Sequence, residues 1–320
     1  MHSKPTRMKT LKRRDFIKTG IMAGGAVVLA NQLKGSGMIS PFSYNYLPAT
    51  PGEIPDIVTI SGDSPDQNIS KLLDALGGIG SFVKPGQTVG ILANSPWRNP
   101  GYYTNPDVVI AVASLCLAAG AKGITCIHPA QENYWQRGKL YLKNKSIVDA
   151  FNYGSDRMEV EIPNGKILKK AEIYKVLKDV NVYISIPVAK HHAGVIYSGN
   201  LKGLMGAASS DTNRGMHSPA GDYTYDEEEY LAQCIADLNL VRKPDLCVID
   251  AIECSTSNGP AGPGETVKPN KIIAGKDLLA TDVYAAQLIG FYPDDILTFR
   301  YASELGLGEI NPGKLKLLEL

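Results

Sequence analysis

The residues most suited to chemistry crowd into one stretch. Residues 187–209 read PVAKHHAGVIYSGNLKGLMGAAS and bring Lys190, His191, His192 and Lys202 together just after the apolar run NVYISI at 181–186. His217 follows in the polar segment SSDTNRGMHSPAGDY, and His128 closes the apolar run GITCI. Histidine titrates near neutrality, so two imidazoles facing one carbon can take a proton from one side and return it from the other. Neutral imidazole also ligates zinc, copper, iron or nickel. Lys190 and Lys202 can neutralise a carboxylate, or in a desolvated site attack a cofactor carbonyl. Gly194, Gly199, Gly203 and Gly206 let backbone approach a bound group, or simply serve turns.

Further candidates stand at other strand ends. Arg98, in ANSPWRN with Asn94 and Trp97, could clamp a carboxylate with its planar fork, or be solvated. Asp250 ends the run LCVID, with Glu253 three residues on, and suits a ligand or a supporting carboxylate. Asp277 and Asp282 flank the start of LLATDVYAAQLIG, where Asp277 can cap a helix without any catalytic role. The acidic run at 226–229 suits the positive end of a helix.

These residues need a scaffold, and the hydrophobic pattern supplies one. Strands are expected at 56–61, 87–94, 122–130, 158–162, 181–186, 245–252 and 271–275. Helices are expected at 68–78 with Asn68 as cap, at 105–121 with Asn105 as cap and Pro106 at the first turn, near 146–152 and 171–178, and at 226–242, 278–289 and 294–305. Continuously apolar strands alternating with helices predict an α/β fold, a mostly parallel sheet with helices on both faces. Ligands bind such sheets outside the carboxyl ends of the strands. All four histidines after the first ten residues are placed by this reading on strand-end loops, none on a helix face or within a strand. Residues 31–54, rich in Gly, Pro, Ser and Asn, read as a linker, followed by one domain over 55–320 or two lobes, 55–135 and 136–320, with a cleft between.

The 320 residues, 44% apolar, suffice for a large core. The formal charge of +1 is uneven: residues 1–30 hold seven Lys or Arg and one acid, leaving 26 basic and 31 acidic residues elsewhere. A mildly acidic body has no footprint for nucleic acid. GGIGSF at 77–82 follows a helix, which is the wrong context for a nucleotide loop. Five cysteines, Cys116, Cys126, Cys234, Cys247 and Cys254, show no C-x-x-C spacing, so no iron–sulfur or zinc-ribbon motif is written. Cys116, Cys126 and Cys247 lie in apolar runs as small buried side chains, whereas Cys254 adjoins a loop and could be a ligand.

LKRRDFIKTG followed by IMAGGAVVLA resembles a twin-arginine signal over residues 1–30; a basic amphipathic helix is the other reading. The apolar run is short for a span, and VLA at 28–30 has the small residues of a cleavage site. The resemblance implies a periplasmic or otherwise exported protein that meets the twin-arginine machinery folded and keeps no stable membrane anchor after cleavage.

IPVAKHHAGVIYSGNLKGLMG, LVRKPDLCVIDAI, NGPAGPG and IIAGKDLLATDVYAAQLIGF, in that order, resemble the "domain of unknown function 362" family from about residue 56 to 308. His192, Tyr197-Ser198-Gly199, Lys202 and His217 also resemble, over roughly 30 residues, the nickel-pincer lactate racemases. That similarity implies Lys202 bonded to the cofactor, His217 on nickel and His192 as one acid/base group, with His128 a candidate for its opposite partner; Asn200 stands where those enzymes would have glycine, and no racemase motif is written around Arg98. On their residue types alone, Lys190, Ser198, Gly199 and Asn200 are candidates around a cofactor, His191 and Asp250 further metal candidates, and Arg98 a candidate for the substrate carboxylate. The expected function is an exported metal- or metallocofactor-dependent enzyme acting on a small carboxylate or hydroxy acid, racemase- or epimerase-like. The alternative is a non-catalytic metal- or ligand-binding protein.

Overall fold

The computed structural model describes residues 45–131, 133–219 and 228–320. The expected signal at 1–30 and residues 31–44 of the expected linker lie outside the described residues. Nine strands form one sheet: β1 (Leu47–Pro48), β2 (Ile57–Ser61), β3 (Thr88–Ala93), β4 (Gly123–Cys126), β5 (Asn152–Tyr153), β8 (Val182–Ile186), β11 (Leu246–Ala251), β14 (Lys271–Gly275) and β15 (Lys316–Glu319). Their order is β1-β15-β2-β14-β11-β8-β3-β4-β5, and β14 alone runs against the rest. Strands from 55–135 and from 136–320 therefore pair side by side. Three small antiparallel pairs decorate the sheet: β6 (Arg157–Glu161) with β7 (Lys170–Tyr174), β9 (Lys190–His192) with β10 (Ile196–Ser198), and β12 (Cys254–Ser255) with β13 (Thr266–Val267).

Helices cover both faces, as the alternating pattern requires. One face is covered by α1 (Pro65–Ala75) and α2 (Pro106–Ala118), where Ile69, Leu72, Val108 and Val112 meet Val89, Ile91, Ile184 and Val248. The short α3 (Lys145–Asp149) lends Val148 to the same core. Two more short helices, α4 (Val176–Asp179) and α5 (Asn200–Gly203), precede α6 (Ser210–His217), α7 (Glu228–Leu238), α8 (Leu278–Leu288) and α9 (Leu297–Glu304). Leu231, Ile235, Leu279, Val283 and Phe299 from the last three pack on Leu92, Tyr183, Ile249 and Ile273 of the opposite face. Each fully buried Leu, Ile or Val adds roughly 1.5–3 kcal/mol, so strands apolar on both faces belong in the middle of this stack. Among the described residues no helix is long and apolar enough to cross a membrane.

Several expectations are corrected. The first helix starts at Pro65 with Ser64 before it, and Asn68, expected as its cap, donates from Nδ2 to the Ser61 carbonyl at 2.8 Å. Residues 170–174 are a strand, because cross-strand pairing with β6 outweighs their helical spacing. The histidines are not all in loops: His191 and His192 belong to β9, and His217 ends α6. Leu47 and Pro48, inside the expected linker, pair in parallel with β15. Asn105 caps α2 as expected, its side chain accepting from Asp107 N at 2.9 Å with Pro106 following.

Candidate functional site

The strand order places a crevice. From β3 the chain crosses by α2 to β4 on one side, and from β8 it crosses by α7 to β11 on the other, over opposite faces of the sheet. Adjacent parallel strands whose connections diverge leave a gap at their carboxyl ends, where α/β sheets take ligands. Here those ends are β3 and β8. The loops that surround the gap are 94–105, 187–199 and 252–265.

The loop after β8 is tied to the sheet before it turns. Asp250 N donates to the Pro187 carbonyl and Ala189 N to that of Asp250, both at 2.9 Å, so β11 guides the chain for three more residues. The β9–β10 hairpin then folds back with Ile196 opposite His192 and Tyr197 opposite His191. Ile196 adopts φ 66°, a left-handed conformation that costs a β-branched residue energy and is held by the surrounding structure. Lys190, 1% exposed, sends Nζ to the carbonyls of Tyr102 (2.9 Å) and Pro260 (3.1 Å), with the Trp97 ring 5.5 Å away. Burial, then the charge of Lys202, pushes its amine well below the ordinary lysine value.

Lys202 sits on α5, and the placement of α5 depends on a carboxyl 80 residues later. Asp282, fully buried on α8, accepts from Asn200 N (2.7 Å), Leu201 N (2.9 Å) and Asn200 Nδ2 (3.2 Å), satisfying the opening of the short helix. Gly199 must be glycine, since a Cβ would collide with Asp282 Oδ1 and lie 2.5 Å from Tyr197 Oη. Burial raises the Asp282 carboxyl to about 7. Lys202 itself is half-buried; its Nζ touches Met205 Sδ at 3.3 Å, and burial lowers the amine to about 8.

The histidines divide into two chemical kinds. His191 Nδ1 accepts from Gly259 N (3.0 Å) and His192 Nδ1 from Gly194 N (3.1 Å), so in the neutral ring both carry the proton on Nε2 and present a donor. His217 Nδ1 donates to the Asn213 carbonyl at 2.7 Å, and His128 Nδ1 to that of Pro129 at 2.8 Å, which puts the lone pair on Nε2. His192, 2% exposed, is held well below its ordinary value by burial and then by Lys202, Lys190, His217 and His191. Burial also lowers His191 and His217. Lys190, His191, His192, Lys202 and His217 thus form one cluster, and among the described residues no carboxylate pairs with Lys190, His192 or Lys202.

The remaining candidates lie elsewhere or serve otherwise. His128 is lowered by burial, with Arg157 as the charge that bears on it, and its ring meets Tyr174 edge-on at 5.9 Å. Arg98 is exposed on the 94–105 loop. Ser198 and Asn200 are buried beside Gly199, and Asn200 Nδ2 also donates to Thr281 Oγ1 at 3.1 Å. Asp250 accepts from Asn105 N (2.6 Å) and Ile252 N (3.0 Å), and burial raises it to about 6. Asp277 caps α8 through Leu279 N and Ala280 N, both at 2.9 Å, as expected. All five cysteines are buried, Cys254 in β12, where burial pushes its thiol well up. No group of three or more His, Cys, Asp or Glu converges as a metal site among the described residues. Two residues named from the sequence have roles that it did not show: Trp97, whose ring lies beside Lys190, and Asp282, whose partners Asn200 and Leu201 are distant in sequence.

A family model for a domain of unknown function, DUF362, matches residues 89–287. A thylakoid-associated protein of Synechocystis sp. is 27% identical over 249 residues, which cover 75% of this chain and 74% of that protein. Among solved structures, the lactate racemase apoprotein of Thermoanaerobacterium thermosaccharolyticum aligns with TM-score 0.39 and 14% identity over 63% of this chain and 52% of that one. A Thermotoga maritima protein aligns with TM-score 0.34 and 14% identity, over 59% and 51%. The chain spans about half the length of these solved structures.

Proposed function

The chain belongs to the DUF362 family, whose matched span holds the crevice, and on that premise we propose an exported enzyme that isomerises a small 2-hydroxy acid there. The observation that carries this reading is the cluster of Lys202, His192 and His217: an amine lowered to about 8, beside one imidazole that presents N–H and another with its lone pair on Nε2. A substrate carboxylate supplies the negative charge that the described residues leave out. The Nε2–H groups of His191 and His192 orient that carboxylate, Lys190 holds the surrounding loops through its two carbonyl bonds, and His217 Nε2 takes the hydroxyl proton and returns it.

The same residues suit a lysine-anchored cofactor in one respect and leave another open. Lys202 Nζ is a partly deprotonated amine at neutral pH and suits covalent attachment, whereas no group of three or more His, Cys, Asp or Glu converges on a metal among the described residues. Bound there, a nickel-pincer group would supply a hydride acceptor. Loaded or not, the chain's own contribution is to hold the carboxylate and to move the hydroxyl proton.

The test uses full-length protein recovered from its native cells. N-terminal sequencing, mass analysis of the Lys202 peptide and elemental analysis are followed by chiral chromatography of a panel of 2-hydroxy acids. Expected are a mature terminus near residue 31, an adduct on Lys202, and enantiomer conversion that falls at least 100-fold in Lys202→Ala and His217→Ala. Conversion that survives Lys202→Ala overturns the reading. Ligand binding without conversion, insensitive to Lys202→Ala, leaves a non-catalytic binding protein.

A further inference from the structure

Beside Tyr102, whose carbonyl receives Lys190 Nζ, lies a cavity of about 130 Å³ lined by Gly101, Tyr103, Asn105, Arg137, Asp250 and Glu253 among others. Its volume approaches that of the roughly 150 Å³ engineered cavity that admits benzene, so a molecule of about six heavy atoms fits. The lining mixes polar and apolar surface. Tyr102 adjoins both places: its carbonyl receives Lys190 Nζ, and its neighbours Gly101 and Tyr103 line the cavity.

The cavity wall carries both signs of charge. Arg137 is fixed in orientation by a bond from Nη1 to the Trp97 carbonyl (2.8 Å) and by the Tyr103 ring 4.6 Å beneath the guanidinium. It pairs with no carboxylate among the described residues and so keeps a fork of donors for an anion. Two carboxyls line the same cavity. Asp250 is 2% exposed and receives only the two backbone N–H groups of Asn105 and Ile252, and Glu253 meets Lys268 Nζ at 3.4 Å. A carboxylate with four lone-pair sites that uses two retains acceptors for a ligand's donor.

We infer that this cavity is a second binding site, separate from the lysine–histidine crevice, for a small zwitterion of the α-amino acid class. The ligand carboxylate meets Arg137 and its ammonium meets Asp250 and Glu253. No covalent step is involved. Acid weakens the ammonium contact as Asp250, raised to about 6 by burial, takes a proton.

Isothermal titration calorimetry with glycine, alanine and serine tests the inference, with acetate, methylammonium and lactate as controls lacking one charge or the other. The expected result is saturable binding of the amino acids alone, weakened at least tenfold by Arg137→Gln, by Glu253→Gln and by a change from pH 7.5 to 5, and unaltered by Lys202→Ala. Glu253 lies partly exposed, so its variant keeps the test usable if Arg137→Gln fails to fold. No amino acid binding, binding indifferent to Glu253→Gln, or binding abolished by Lys202→Ala overturns the inference. The last outcome assigns the ligand to the crevice, so the two proposals fail separately.

Discussion

Replacing Asp282 by Asn isolates the carboxyl that anchors α5, and its effect has a sign that depends on pH. Burial lifts this carboxyl from 3.8 to about 7 against the three donors that lower it. The folded protein therefore holds a proton that the unfolded chain releases, so the contribution is full below pH ~4 and is lost as pH rises through about 7. At about 1.4 kcal/mol per pH unit, the loss is on the order of 4 kcal/mol. Asn keeps the shape and one acceptor but turns an amide toward Leu201 N, leaving that buried N–H unpaired at a cost of about 1–3 kcal/mol at every pH. Wild type is thus the more stable at pH 4, and the order reverses by pH 8. Asp250 acts in the same direction in both proteins and cancels in the difference. Urea unfolding followed by circular dichroism at pH 4, 5, 6, 7 and 8 gives the two curves. A stability difference that stays constant across that range refutes the reasoning.

Three other outcomes follow from the same geometry. Gly199→Ala drives a methyl into Asp282 and Tyr197, and destabilises by roughly 1–3 kcal/mol in urea unfolding. Reductive methylation of Lys202, read by peptide mass, reaches half its maximal rate near pH 8, well below the ordinary lysine value of 10.5. Asp107→Ala frees Lys139 N and Leu140 N, which its carboxylate holds at 3.1 and 2.8 Å, and costs about 1–3 kcal/mol by the same unfolding measurement.

Where the sequence was legible, one element sufficed to write the signal. VYISI and LCVID are apolar throughout because both faces of β8 and β11 are covered, and Asn105-Pro106 announces α2 by capping chemistry that is local. The site's own elements are illegible for a related reason. The hairpin KHHAGVIYS carries groups for chemistry at positions where a strand would show apolar alternation. SDTNRGMH has little apolar face, and α6 relies on Ser209 Oγ accepting from Thr212 N at 3.2 Å. KAEIYKVLKD has helical spacing, but β6 lies beside its first half and captures it as a strand. The grouping of His192, Lys202 and His217 was anticipated from their order in the chain. The division of the histidines into donors and acceptors was not, because it rests on the local backbone conformation that turns Gly194 N–H or the Asn213 and Pro129 carbonyls toward the ring and, for His191, on Gly259, which the fold brings near.

Lys190 joins three separate connections at one nitrogen: its own, that of Tyr102 and that of Pro260. Loops on a protein surface ordinarily fluctuate one at a time, each with its own low opening free energy. With the stitch in place, releasing any one of these exposes a buried amine and two carbonyls, so the mouth of the crevice opens as a unit or stays shut. A ligand then meets a site whose ordering entropy was spent during folding, and native-state hydrogen exchange should find amides on all three loops sharing one opening free energy.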